Sequence, residues 1–269
     1  MPSTVLLIDA DIPIYEVAAR NEKSIPWPYD EHGSVLWTRT ANLEMAQVAL
    51  DEVFDHYLTR LNAQSYIGAV TIGSGNWRKD VYHEYKSNRT GGVKPILVPI
   101  LREFVAQETY GRHIPPLEGD DVLGILCTKP RKKTDPTPII VSSDKDMRTI
   151  PGLHYNPSKD EEFEVTVEEA NAWHLIQSLA GDRTDGYPGC PGLGMVRAEK
   201  MIGAEVRSSD ILSVWREVVV PAYEKAGLDE EYALTQARVA RILRAADYDP
   251  KKKEVKLWAP DAQSNKKQP

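Results

Sequence analysis

Nine carboxylates stand in four short clusters. They are Asp9 and Asp11 in VLLIDAD, Glu118, Asp120 and Asp121 in LEGDDVLG, Asp144 and Asp146 in SSDKDM, and Asp182 and Asp185 in AGDRTDG. The first and third clusters directly follow apolar, β-branched runs that read as buried strands. Carboxylates gathered in one place repel one another unless positive charge sits among them. Up to two hard divalent cations, Mg²⁺ or Mn²⁺, would meet that need, because they prefer oxygen ligands and leave positions for water and phosphate. A single Asp after a strand is ordinarily a turn former or helix cap. Four such clusters in one chain point instead to metal binding and metal-assisted phosphodiester chemistry.

Basic residues lie between these clusters. Lys86 and Arg89 in YKSNR are three apart and would share one face of a helical turn, where they could hold a scissile phosphate and offset developing charge. Arg78 and Lys79 in NWRKD would extend this basic surface toward nucleic acid. In PGCPGLGMVRAEK (188–200), Gly192 and Gly194 precede a helix start with Arg197 and Lys200 close behind. Free backbone N–H groups at such a start can hold a DNA phosphate without reading sequence. Trp27, Tyr29 and Trp37 fall in a Pro-containing segment of unassigned structure, where base stacking is an open option. His83, His113, His154 and His174 lack paired ligand spacing and receive no chemistry. The tail lysines at 251–253, 266 and 267 read as a solvated terminus.

Elements must bring these residues together. TVLLI (4–8), YIGAVTI (66–72) and IIVSS (139–143) read as strands, with a hairpin over roughly 152–166. Three- and four-residue apolar spacings predict helices over 42–62, 96–110, the residues after Asp120 (its N-cap) and 168–180, then 209–226 and 229–247. This alternation predicts an α/β fold with a mostly parallel sheet, whose ligands bind beyond the carboxyl ends of the strands. A spacing of two points Asp9 and Asp11, and likewise Asp144 and Asp146, the same way if strand geometry persists.

The chain has 269 residues, 41% hydrophobic and 27% charged, with a net charge of −7. That length suits one large α/β domain with a small appendage. The nine clustered carboxylates exceed the negative excess, so the remaining surface need not repel a polyanion. Cys127 and Cys190 form no C-x-x-C pair or disulfide framework, and no apolar run approaches membrane-spanning length. The expectation is a cytoplasmic monomer without membrane association.

Taken in order, LLIDAD, NWRK, YKSNR, LEGDD, SSDKD and AGDRTDGYPGCPGLG resemble the 5′-nuclease superfamily of flap endonucleases and 5′→3′ exonucleases, most of all its T7-like phage members. The resemblance covers most of the chain. It implies a Rossmann-like PIN-type core over 1–180, a helix–three-turn–helix DNA-binding region over 181–250 with K⁺ on backbone carbonyls near Gly192 and Gly194, and a basic tail over 251–269. It assigns Asp9, Glu118, Asp120, Asp144 and Asp146 to a first metal region, and Asp121, Asp182 and Asp185 to a second. Lys86 and Arg89 match the superfamily's basic gateway. The implied activity is divalent-metal-dependent 5′→3′ exonucleolysis of duplex DNA at 5′ ends, nicks or flaps, extending to RNA primers in RNA–DNA hybrids, with 5′-phosphorylated products. A phage-encoded member would work in the host-cell cytoplasm. Two departures stand out. Gly73, Ser74 and Gly75 occupy a place where many relatives carry an acid, which Asp11 could partly replace. The short span from Arg89 to Glu118 also leaves no room for a long arch. The alternative is a non-catalytic DNA-structure-binding protein that keeps the fold. An RNA-specific PIN-type ribonuclease is a further option, disfavoured by the Gly-Pro segment.

Overall fold

A computed structural model describes residues 3–27, 36–73, 75–89, 92–205 and 211–261. Tyr29, Ser74, Lys266 and Lys267 lie outside them. Strand β1 (Thr4–Asp9) forms the centre of a six-stranded sheet because its apolar run is covered on both faces. Leu6 and Ile8 pack into one apolar cluster and Leu7 into the other, as the two-residue period requires. Helices α1 (Asp11–Asn21) and α2 (Leu43–Arg60) support the first cluster; a ribbon of β2 (Glu22–Trp27) and β3 (Leu36–Ala41) joins them.

The next strand, β4 (Ser65–Ala69), runs parallel to β1, with Asp9 opposite Ala69 at its end. A single turn of helix, α3 (Arg78–Val81), is followed by turns at 83–88 that hold Lys86 at φ +56°, so Lys86 and Arg89 do not share a helical face as expected. Helix α4 (Val98–Gln107) carries Pro99 in its first turn, where a missing N–H costs nothing, and leads to the short β5 (Gly111–Arg112).

Helix α5 (Gly119–Thr128) is capped by Glu118 rather than Asp120. Strands β6 (Thr137–Val141), β7 (Gly152–Asn156) and β8 (Glu161–Val165) complete the sheet order β5-β4-β1-β6-β7-β8. Every pairing is parallel except that of β7 with β8, the expected hairpin.

A second apolar centre straddles residue 180. Leu175, Ile176 and Leu179 of α6 (Val167–Ala180) pack with α7 (Met195–Glu205) and with residues of the helical run that follows. That run comprises α8 (Ile211–Val214), a π turn (Trp215–Val219) and α9 (Val220–Lys225). The widened turn ends just before Pro221, whose nitrogen cannot donate to the carbonyl of residue 217.

Helix α10 (Glu230–Ala240) stops well short of the expected residue 247. The chain instead crosses back to the sheet-bearing half, where Leu243 N donates to Asp121 Oδ1 at 3.1 Å and Ile242 and Leu243 enter the core. Gly124 permits this crossing, since a Cβ there would sit 2.3 Å from Leu243 O. The basic stretch is also less loose than its composition suggests. Strand β9 (Tyr248–Asp249) pairs with β10 (Glu254–Val255), and Trp258 is buried against Trp215 and His174. Among the described residues no helix is long and apolar enough to cross a membrane.

Candidate active site

Strand β1 delivers Asp9 to the carboxyl edge of the sheet, and β6 delivers the 142–146 loop beside it. One hydrogen-bond chain fixes that loop. Ser142 Oγ donates to Asp9 Oδ2 at 2.8 Å and accepts from Asp144 N at 3.0 Å, and Asp144 Oδ1 accepts from Asp146 N at 2.8 Å. Asp144 thereby caps a 3₁₀ turn over Lys145–Thr149.

A basic wall stands on the other side. Lys86 Nζ donates to Glu118 Oε1 and lies 3.7 Å from Asp185 Oδ2. Tyr85 Oη is 2.9 Å from both Glu118 Oε2 and Asp185 Oδ2, and Arg89 pairs with Asp185 Oδ1. Lys86 and Arg89 thus touch the second and fourth acidic clusters directly.

Electrostatics separate two kinds of carboxylate. Burial favours the protonated form of Glu118, but Arg78 and Lys86 outweigh it and hold that group at about 2. Asp9 is pushed up to about 7 by burial and by the charges of Asp11 and Asp144, against the Ser142 hydrogen bond. Asp146 is likewise pushed up to about 7 by burial and by Asp144, Asp182 and Asp185, against Lys145. Asp120 is raised well above the carboxylate range by burial, Asp9, Asp144 and Glu118. Asp9, Asp120, Asp144, Asp146, Asp182 and Asp185 therefore share one electrostatic neighbourhood, in which Lys86, Arg89 and Lys145 offset only part of the negative charge.

The donor chemistry fits hard divalent cations. The ligating atoms on offer are carboxylate oxygens, and Asp146 Oδ1 is buried with no hydrogen-bond partner. Among the described residues, no three Asp, Glu, His or Cys side chains form a closed metal cage. The oxygens are held by Ser142 and Lys86, and cations would have to draw them inward.

No family model matches the chain. The exodeoxyribonuclease of Enterobacteria phage T3 is 30% identical over 287 aligned positions, covering 95% of this chain and 93% of that protein. The chain belongs to the 5′-nuclease superfamily, among its T7-like phage exonucleases. The exonuclease of Escherichia phage T7 is 29% identical with the same coverage. The fold is that of the T5 5′-exonuclease solved with divalent zinc ions, with a TM-score of 0.61 at 12% identity over 88% of this chain and 89% of that one. A T5 flap endonuclease pseudo-enzyme–product complex with DNA and metal ions gives 0.63 at 13% identity over 88% of each chain.

In this T7-like exonuclease three of the sequence assignments need correction. Asp121 does not face the acidic site. It is fully buried and accepts from Trp77 Nε1 at 2.9 Å, both terminal nitrogens of Arg78 at 2.8 Å, Glu118 N at 3.2 Å and Leu243 N. Arg78 is no DNA contact, being 3% exposed and donating also to Glu118, Val239 O and Arg241 O. Asp11 does not point with Asp9. Strand geometry ends there, α1 begins, and the Asp11 carboxylate turns to Arg102 Nε at 2.8 Å and Thr71 N at 3.2 Å.

Lys79, Arg197 and Lys200 are exposed. The carbonyl of Gly192 accepts from Arg197 Nη1 at 3.0 Å and keeps one lone pair, whereas that of Gly194 accepts from both Arg197 N and Ala198 N and keeps none, so Gly194 does not offer the expected K⁺ contact. A cleft of about 730 Å³ runs from Asp182 to Gly194, with Tyr82 and Glu84 opposite. His154 and His174 are packed inside on backbone carbonyls, consistent with the absence of ligand spacing. Tyr85, Ser142 and Arg102 were not singled out. The first two sit inside motifs already marked, YKSNR and SSDKDM, whereas nothing near Arg102 in the sequence marks it.

Proposed function

We propose that this protein is a divalent-metal-dependent 5′→3′ exodeoxyribonuclease acting at 5′ ends, nicks or flaps of duplex DNA. The observation that carries the reading is the gathering of Asp9, Asp120, Asp144 and Asp146 at one sheet edge, where burial and the charges of neighbouring carboxylates push Asp9, Asp120 and Asp146 toward protonation. These residues, with Asp182 and Asp185, would hold up to two Mg²⁺ or Mn²⁺ ions. Such ions, when bound, lower the pKa of water and stabilise charge on the attacking and leaving oxygens.

The chain's own residues do the rest. Lys86 and Arg89 hold the scissile phosphate and offset the charge that grows on its oxygens, exchanging their carboxylate partners for it. Tyr85 and Glu118 keep Lys86 in place before the phosphate arrives. The cut leaves a 5′-phosphate on the shortened strand, and the 3′ oxygen departs on the released nucleotide. Lys79, Arg197, Lys200 and the start of α7 hold duplex phosphates along the cleft beyond Asp182. K⁺ would sit on the remaining lone pair of the Gly192 carbonyl, because two backbone N–H donors already occupy the Gly194 carbonyl. Nothing in this arrangement requires a deoxyribose at the cut, so RNA primers in RNA–DNA hybrids are included. We place the enzyme as a monomer in the cytoplasm of the host cell.

The test is cleavage of 5′- and 3′-end-labelled duplex, nicked, flap and hybrid substrates, in Mg²⁺ or EDTA, with Asp144→Ala alongside. Short products released first from 5′ ends, only with Mg²⁺ and not by Asp144→Ala, are expected. Release from 3′ ends would overturn the polarity. Binding without any cleavage would favour the non-catalytic alternative, whose support is the missing acid at Gly73–Gly75 and the neutralisation of Asp11 by Arg102.

A further inference from the structure

Beyond Asp11, on the side away from Asp9, lies a pocket of about 290 Å³. Ile72, Ile96 and Pro99 give its lining apolar surface, and Lys94, Arg102 and Glu103 give it charge. Two of its wall residues hold the Asp11 carboxylate, Thr71 through its N–H and Arg102 through Nε. Asp11 opens α1 just two residues after Asp9 closes β1. The pocket is therefore one carboxylate away from the candidate metal site. Only the Nε of Arg102 has a partner among the described residues, which leaves its two terminal nitrogens for an anion.

Thr71 and Ile72 follow the carboxyl end of β4, so the pocket lies beyond that strand end. Glu22 accepts from Ile96 N at 2.7 Å, and Arg39 donates to Lys94 O at 2.6 Å, so the β2–β3 ribbon braces the rim. The strand register puts Trp37 on the same ribbon face as Arg39, and Trp37 is 60% exposed. An apolar slot with cations at its mouth matches one nucleotide, with its base against Ile96 and Pro99 and its phosphate on Arg102 and Lys94. The volume lies at the small end for ligand pockets and suits one nucleoside rather than a base pair.

We propose that this pocket receives the 5′-terminal nucleoside of the strand being cut, holding it as the leaving nucleotide. The proposal rests on the nuclease reading above, and its test separates the two. Pro99→Trp, from an exposed position in the first turn of α4, would fill the slot. Ile100→Trp, its neighbour, is 46% exposed and outside the pocket, and serves as control. Binding of deoxynucleoside 5′-monophosphates is read by saturation-transfer NMR, and cleavage of blunt duplex by steady-state kinetics.

Pro99→Trp is expected to weaken monophosphate binding and to raise KM by about tenfold each, with kcat kept, while Ile100→Trp matches the wild type. A wild-type assay on duplex with an abasic 5′-terminal residue should show a similar rise in KM, whether or not the variant folds. Wild-type binding by a folded Pro99→Trp, or unchanged use of the abasic end, would overturn the pocket. Loss of all Mg²⁺-dependent cleavage in the wild type would sink the nuclease reading instead, and the NMR measurement would still decide the pocket.

Discussion

At the scale of single residues, Arg78 and Lys86 show how similar charges take different work. Arg78 places all of its side-chain N–H groups on protein acceptors, so removing it would leave the buried Asp121 carboxylate without a counter-charge. Arg78→Met is therefore expected to cost about 3–5 kcal/mol in urea unfolding. Lys86 holds its carboxylates at a half-open edge. Lys86→Ala should lower kcat by about 10²–10³ while shifting the unfolding midpoint little, and it should let the Glu118 pKa rise from about 2, read by carbon-13 NMR. This difference was hidden in the sequence, where NWRKD and YKSNR look alike. The burial of Arg78 depends on the carbonyls of Val239 and Arg241, far away in the chain. The adjacent Asp120 and Asp121 read as equivalent, but successive helical residues point about 100° apart, so only one of them can face the site.

At the scale of elements, the strand-to-loop transitions were legible because a run such as TVLLI ending in Asp needs no distant information. The end of α10 was not legible. Its helical pattern continues on paper to residue 247, yet the contact of Leu243 with Asp121 and the close pass at Gly124 outweigh local preference. Trp258 was also missed, because Lys-rich composition around residues 251–253 hides one buried anchor. The strap it ends should clamp the helical region. Trp258→Ala is expected to cost about 3–5 kcal/mol and to leave the cleavage polarity unchanged, checked by chemical denaturation and by end-labelled duplex.

At the scale of the whole molecule, the acidic edge costs stability unless cations occupy it. Asp9 and Asp146 titrate near 3.8 when unfolded and about 7 when folded. The folded state then binds protons more tightly than the unfolded state across that window, so stability falls as pH rises through it. Their favourable contribution in EDTA is fully present below about pH 4 and is lost as pH rises through the folded values near 7. Divalent cations would reverse the loss by binding the ionised carboxylates of the folded chain alone. The most direct measurement is thermal unfolding with and without Mg²⁺, at pH 4.5 and at pH 7.5, on wild type and Asp120→Asn. Mg²⁺ should raise the wild-type midpoint by several degrees at the higher pH, do little at the lower pH, and do markedly less for Asp120→Asn. An equal response at both pH values, or none at pH 7.5, would contradict a metal centre built from these four clusters.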